Sequence, residues 1–159
     1  MLAKFYILVL ILIVIPVILV ITAILQNNLP LTEMPGIMAR LKTYFTSNVA
    51  ETSLQPAFPE LAMRVYPYTA DDIHDRIKKT INHFGWELLK DDHDHHELNV
   101  IITTPLWRFK DDMLIRIMPI SEGENAVYIR SSSRMGKADL GTNTRHILDF
   151  YSQLDEAMQ

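Results

Sequence analysis

Asp112-Met113-Leu114-Ile115-Arg116-Ile117-Met118 and Ala126-Val127-Tyr128-Ile129-Arg130-Ser131 decide how this chain folds. In the first run Met113, Ile115 and Ile117 alternate around Asp112 and Arg116, the period of two that puts apolar side chains on one face of a strand. The connection at 119–125 is polar, of hairpin length, and holds Gly123. The two runs, at 113–118 and 126–131, are therefore predicted to be antiparallel neighbours. Upstream, Leu98, Val100 and Ile102 alternate in the same way, and residues 86–90 read as one more strand across the polar turn at 91–97. Residues 61–66 read as a further strand, and 47–59, with Pro56 and Pro59, as extended loop.

Helices flank these strands. Thr69 fits an N-cap, with Asp71 and Asp72 in the first turn where the helix dipole favours anions. Ile73, Ile77, Ile81 and Phe84 then recur as one apolar stripe, and Gly85 stands where such a helix ends. A last helix is predicted over 143–157, burying Ile147, Phe150 or Tyr151, and Leu154. A short one over 34–45 would have Ile37, Met38, Leu41, Tyr44 and Phe45 as its apolar side. The fold class is α+β, a two-layer antiparallel sheet with helices on one face, plus one N-terminal transmembrane helix.

The transmembrane reading rests on residues 5–25, which carry no charge and are interrupted only by Tyr6, Pro16 and Thr22. About 21 helical residues cover the ~30 Å hydrocarbon core of a bilayer. A cleaved signal peptide has a shorter apolar region ending in small residues, and Thr22-Ala23-Ile24-Leu25 is a poor cleavage site. Residues 1–28 thus read as membrane anchor and linker, and 29–159 as a soluble domain. Lys4 precedes the span, and no Lys or Arg follows it until Arg40. The positive-inside rule then gives a single-pass inner-membrane protein with a cytoplasmic N-terminus and a periplasmic domain.

The formal net charge of −4 argues against non-specific nucleic-acid binding, which needs a positive field. It also argues against the domain lying flat on anionic lipid. With no cysteine there is neither a disulfide nor a thiolate nucleophile or ligand.

Three polar stretches could carry chemistry: Arg108-Phe109-Lys110-Asp111-Asp112, Arg130-Ser131-Ser132-Ser133-Arg134, and the run from Gly136 through Asp139 and Asn143 to Arg145. The hairpin makes the first two neighbours, crowding acids, arginines and hydroxyls at one sheet end. Arginine forks and serine or helix-start donors suit a carboxylate or phosphate. The candidate ligand-binding residues are Arg108, Asp111, Asp112, Arg130, Ser131, Ser133, Arg134, Asp139, Asn143 and Arg145. The competing structural reading pairs Arg130 with Asp112 and Arg134 with Asp139, the serines and Asn143 capping the loop and helix. His146 has no motif linking it to a serine, so no catalytic triad is legible.

Arg-Phe-x-Asp-Asp at 108–112, then Arg-Ser-x-Ser-Arg-x-Gly-x-x-Asp-x-Gly-x-Asn-x-Arg at 130–145, resembles the hallmark of domain-of-unknown-function family 1499. Ser47-Asn48-Val49-Ala50-Glu51-Thr52 is similar to the family's early motif, so the likeness spans about residues 47–154. Lys137 departs from it, standing where the family usually has an aromatic. The resemblance implies a small envelope or secreted bacterial protein and supplies no reaction and no cofactor.

Asp91-Asp92-His93-Asp94-His95-His96-Glu97 offers imidazole and carboxylate, the ligands of zinc, copper or nickel. It also sits where a solvated turn is expected, so His93, His95 and His96 are weak metal candidates. His74 and His83 read as polar-face helix residues, and Trp86 and Trp107 as core or sheet-end aromatics.

The sequence thus supports a membrane-anchored extracytoplasmic binding or interaction module, its partner an anionic small molecule, a lipid headgroup or a protein. One alternative is a hydrolase-like envelope enzyme using paired Asp and Arg; the balance leans away from an enzyme. Another is a structural subunit of a membrane complex, packing through the anchor. If residues 5–25 span the bilayer, the full chain stays in the membrane pellet through an alkaline carbonate wash. Release of the intact protein by that wash contradicts the span.

Overall fold

Alternation along β5 (Lys110–Ser121) buries Asp111, Met113, Ile115 and Ile117. The strand pairs antiparallel with β6 (Glu124–Ser133), Ile115 opposite Ile129 and Met118 opposite Ala126. Gly123 turns the hairpin at a φ of 78°, a left-handed conformation that a residue without Cβ adopts freely. In the computed structural model, which describes residues 2–105 and 108–159, this hairpin is the centre of a six-stranded antiparallel sheet. β4 (Glu97–Thr103) pairs with β5, and β3 (Glu87–Asp92) with β4.

On the other side, β6 is shared by two short strands. β1 (Val49–Glu51) pairs with residues 130–132 and β2 (Arg64–Tyr66) with residues 125–127. Thr52 fills the gap between them. Its N–H donates to the Ile129 carbonyl at 2.9 Å, and its hydroxyl accepts from the Ile129 N–H at 2.9 Å. The stretch read as loop therefore contributes a strand, too short to show a period of its own. The strand expected from 61 to 66 begins instead as a 3-10 turn, Pro59–Leu61.

Two helices cover one face. In α3 (Ala70–His83) the Thr69 hydroxyl accepts from the Asp72 N–H at 3.1 Å, the expected cap. Ile73, Ile77 and Ile81 are wholly buried, as are Ile147, Phe150, Tyr151 and Leu154 of α4 (Thr142–Ala157). Burying each such side chain contributes about 1.5–3 kcal/mol. The Tyr151 hydroxyl donates to the Val127 carbonyl at 2.6 Å, tying α4 to β6 through the core. Trp86 stacks on Phe84 and packs against the core, as its sequence position suggested, while Trp107 lies outside the described residues. His74 is a correction. It lies fully buried on α3, not on a polar face.

The N-terminal helix α1 (Leu2–Gln26) runs through Pro16 without a break, and its stretch Tyr6–Gln26 is long and apolar enough to cross a membrane, with a mean hydropathy of 3.5. The chain leaving it is not a free linker. Leu29 is buried in the core, and the Asn27 side chain donates to the Leu140 carbonyl at 3.0 Å.

The next helix, α2 (Ile37–Thr46), buries Tyr44 of the apolar side expected of it but not Ile37, Met38 or Phe45. It buries Arg40 as well and leaves those three exposed. The reason is electrostatic. Arg40 has no accessible side-chain surface, makes a two-pronged bond to Glu60, and lies 4.8 Å over the Phe58 ring. It also donates to the Glu33 carbonyl at 3.2 Å, so the turn before α2 is fixed with it. Breaking such a buried pair costs about 3–5 kcal/mol, of the same order as the gain from turning two apolar side chains inward, and the lost bond from Arg40 to the Glu33 carbonyl adds to that cost.

Gly141 sits where this exit meets α4, at a φ of 88°, and a Cβ there would come within 2.3 Å of Leu29 Cδ1. Gly141→Ala is expected to lower unfolding stability by about 2 kcal/mol or more, through both backbone strain and overlap. Denaturant melts of the full-length protein check it, and a neutral effect would show that Leu29 is not seated there.

Candidate functional site

Asn143, in the first turn of α4, lies at the middle of the polar motif and is fully buried. Its carbonyl oxygen accepts from the Ser131 hydroxyl at 2.6 Å. Its amide nitrogen lies 2.8 Å from the Asn48 carbonyl, 2.9 Å from Ser133 Oγ and 2.6 Å from Asp139 Oδ2. Two amide protons are thus shared among three acceptors. The Asp139 carboxylate also accepts the backbone N–H of Gly141 at 2.8 Å and of Asn143 at 3.0 Å. It caps α4 from two residues before Gly141, satisfying N–H groups that helix geometry leaves unpaired. Asn48 completes the network. Its side chain donates to the Gly136 carbonyl at 2.8 Å, and its carbonyl accepts from the Ser133 N–H at 2.9 Å.

The hairpin register brings the 108–112 and 130–134 segments together, with Asp111 opposite Ser133 and Asp112 opposite Ser132. The strands' period of two then divides them between the two faces of the sheet. Asp111, Ser131 and Ser133 turn toward α4 with Asn143 and Asp139. Asp112, Arg130, Ser132 and Arg134 turn to the face that carries no helix. The crowded single cluster expected from the sequence is therefore two layers with a sheet between them.

On the open face Arg134 embraces the Asp112 carboxylate, Nε at 2.9 and 3.0 Å and Nη2 at 2.6 Å. That neighbour holds the Arg134 guanidinium above its ordinary pKa. Both expected pairings are thereby corrected, since Asp112 belongs to Arg134 and Asp139 belongs to the helix start. Arg130 donates to Ser132 Oγ at 3.2 Å and, among the described residues, to no carboxylate. Arg108 is exposed at the loop before β5, with a φ of 56°. Arg145 stays on its own helix, its Nε donating to Asp149 at 2.9 Å.

Sequence reasoning missed His146 as part of this region. Its Nδ1 stands 3.6 Å from a carboxylate oxygen of Asp111, too far for a hydrogen bond, and the Asp111 side chain is only 2% exposed. Burial pushes the His146 imidazole below the ordinary histidine pKa, and the Asp111 charge opposes that shift. A strand residue and a helix residue 35 positions apart share no local pattern that could have paired them.

At the other end of the sheet, the turn between β3 and β4 separates the three histidines. His95 turns out to solvent and meets Asp92 Oδ1 at 2.8 Å. His93 and His96 turn toward α3, where Asp71 lies 3.8 and 4.0 Å from their ring nitrogens.

The family model described as "Protein of unknown function (DUF1499)" matches residues 38–154, well over half of the chain, and the protein belongs to that family. No curated protein matches the sequence.

Two outcomes test the network. Asn143→Ala strands several buried polar groups and is expected to cost about 3 kcal/mol in denaturant melts. Arg145→Ala, half-exposed and paired along one helix, should cost about 0.5 kcal/mol or less. The depressed His146 pKa has a sign as well. Below about pH 6.5 the unfolded chain takes up a proton that the native imidazole refuses, so stability present above that pH is lost as pH falls through it. Between pH 7.5 and 5.5, His146→Gln should lose less stability than wild type in denaturant melts, and an equal loss would contradict the depressed imidazole.

Proposed function

We propose that this DUF1499 domain is an extracytoplasmic binding module held at the membrane surface, taking an anionic group, phosphate or carboxylate, on the open face of its sheet. The observation that carries the reading is the tie between anchor and motif. Asn27 bonds to Leu140, and Leu29 packs against Gly141, in the loop that precedes α4. The motif end of the sheet is thereby turned toward the bilayer and the 91–97 turn away from it.

Of the acids at the motif end, Asp111 is buried, Asp112 is held by Arg134 and Asp139 by the start of α4, while Arg108, Lys110, Arg130 and Lys137 stand at the same end. Apolar surface follows the same polarity. The exposed Ile37, Met38 and Phe45 of α2 follow the anchor closely in the chain, and a helix of this kind rests its apolar side at the headgroup boundary. Arg130 is poised to bind from within the sheet, since among the described residues its fork is engaged by the Ser132 hydroxyl and by no carboxylate.

Turnover is less well supported than binding. Asp112 is engaged by Arg134, Asp139 by the start of α4, and Asp111 is enclosed. The small cavity of about 220 Å3 near the sheet edge is lined by Glu51, Ser53, Phe58 and Leu61 and not by the motif.

The test is thermal unfolding of the full-length protein in neutral detergent, with inorganic phosphate or citrate against chloride at equal ionic strength. At about ten times the dissociation constant the anion should add about 1.4 kcal/mol, a rise of about 4 °C. Arg130→Gln should fold normally and lose that rise. A wild type that no anion protects, or a variant protected equally, would overturn the anion site.

A further inference from the structure

The geometry points to a second site, a divalent transition-metal centre of the zinc type formed by Asp71, His93 and His96 at the end of the sheet far from the motif. One donor atom from each of the three lies within 4.8 Å of the others. His93 Nε2 is 3.8 Å and His96 Nδ1 is 4.0 Å from Asp71 Oδ1. Ligands on a tetrahedral ion at 2.0–2.2 Å stand about 3.3 Å apart, so closure asks for a shift of up to about 1.5 Å. Asp71 and His93 are mostly exposed and free to make it.

Exposed acids and histidines in a turn are ordinarily no more than solvated. Three features set this group apart. The first is His96, whose Nδ1 is buried and bonded to nothing among the described residues, although it lies 4.0 Å from a carboxylate oxygen. An unbonded buried nitrogen is costly, and a bound ion removes that cost.

The second feature is how the His96 ring is held. Its backbone has a φ of 49°, with its carbonyl accepting from the Ile117 N–H at 3.0 Å and its N–H donating to the His93 carbonyl at 3.2 Å. The two rings project from one fixed turn, three positions apart, with centroids 5.8 Å apart.

The third is His74. It is fully buried, its ring 4.8 Å from that of His93 and 6.2 Å from that of His96. Its Nε2 meets Asp91 Oδ1 at 2.7 Å, while Lys78 holds the other oxygen of the same carboxylate at 2.6 Å. A carboxylate on one ring nitrogen is the outer partner that fixes tautomer and ring orientation at metal-binding histidines. It leaves Nδ1 as the lone-pair atom of His74, buried and without a partner. His74 thus backs the site as a positioning residue.

Two imidazoles and one carboxylate suit zinc, nickel or copper and not magnesium or calcium, which take oxygen ligands. The ion would join the first turn of α3 to the β3–β4 turn, two segments otherwise linked here through His74 and Asp91.

Tag-free full-length protein in detergent, stripped with chelator, is titrated with ZnCl2 by calorimetry and with cobalt by visible absorbance. One saturating ion per chain and a tetrahedral cobalt spectrum are expected. His93→Ala and His96→Ala should each weaken zinc about tenfold or more, and His95→Ala less than about threefold. Both turn variants should melt like the metal-free wild type, which separates ligand loss from unfolding. Absence of saturable uptake, equal uptake by the His93→Ala/His96→Ala double variant, or a His95→Ala loss as large as either would overturn the site. Because it lies far from Arg130, its failure and that of the anion site are distinguishable.

Discussion

The side-chain amide of Asn143 holds together parts of the chain that nothing else joins so closely. It binds β6 through Ser131 and Ser133, the segment before β1 through Asn48, and the loop before α4 through Asp139. Asn143 and Ser131 are removed from bulk water, and there an unpaired donor or acceptor is expensive. The start of α4 is therefore fixed in position as well as capped. From that fixed point follow the seating of Leu29, the exit direction of α1, and the placement of Ile147 and Phe150 over the sheet.

The same network explains why the motif is long. Half of it serves the interior, with Ser131, Ser133, Asp139 and Asn143 satisfying one another and the backbone. The other half, Asp112, Arg130, Ser132 and Arg134, emerges on the opposite side because successive residues of a strand point to opposite faces. A stretch that reads as one polar cluster is a scaffold below the sheet and a surface above it. Only the surface half is free to meet a ligand.

A second constraint sits where the chain leaves α1. Arg40, buried with Glu60 and stacked on Phe58, locks the turn at residues 33–36 and fixes which side of α2 faces inward. The apolar side chains Ile37, Met38 and Phe45 are left outside. The acidic and histidine-bearing turn at 91–97 belongs to the other end, where a metal centre would be independent of the anchor.

Much of the fold is legible in the chain itself, because its signals are local. The alternation of Met113, Ile115 and Ile117, the stripe of Ile73, Ile77 and Ile81, the Thr69 cap and the charge-free run at 5–25 each act over a few residues. They fix the hairpin, α3 and an apolar helix long enough to span a bilayer. Three-residue strands such as β1 carry no period to read, and α2 shows an amphipathic pattern that a buried Arg–Glu pair overrides. The sites depend still more on tertiary structure. The motif's residues were visible, but their division between two faces depends on register, and the meeting of His146 with Asp111 depends on how α4 crosses the sheet. His93, His95 and His96 are equivalent as sequence; backbone turn geometry alone sends two of them toward Asp71 and one toward solvent. Local chemistry determined the elements, and long-range packing decided which side chains share a space.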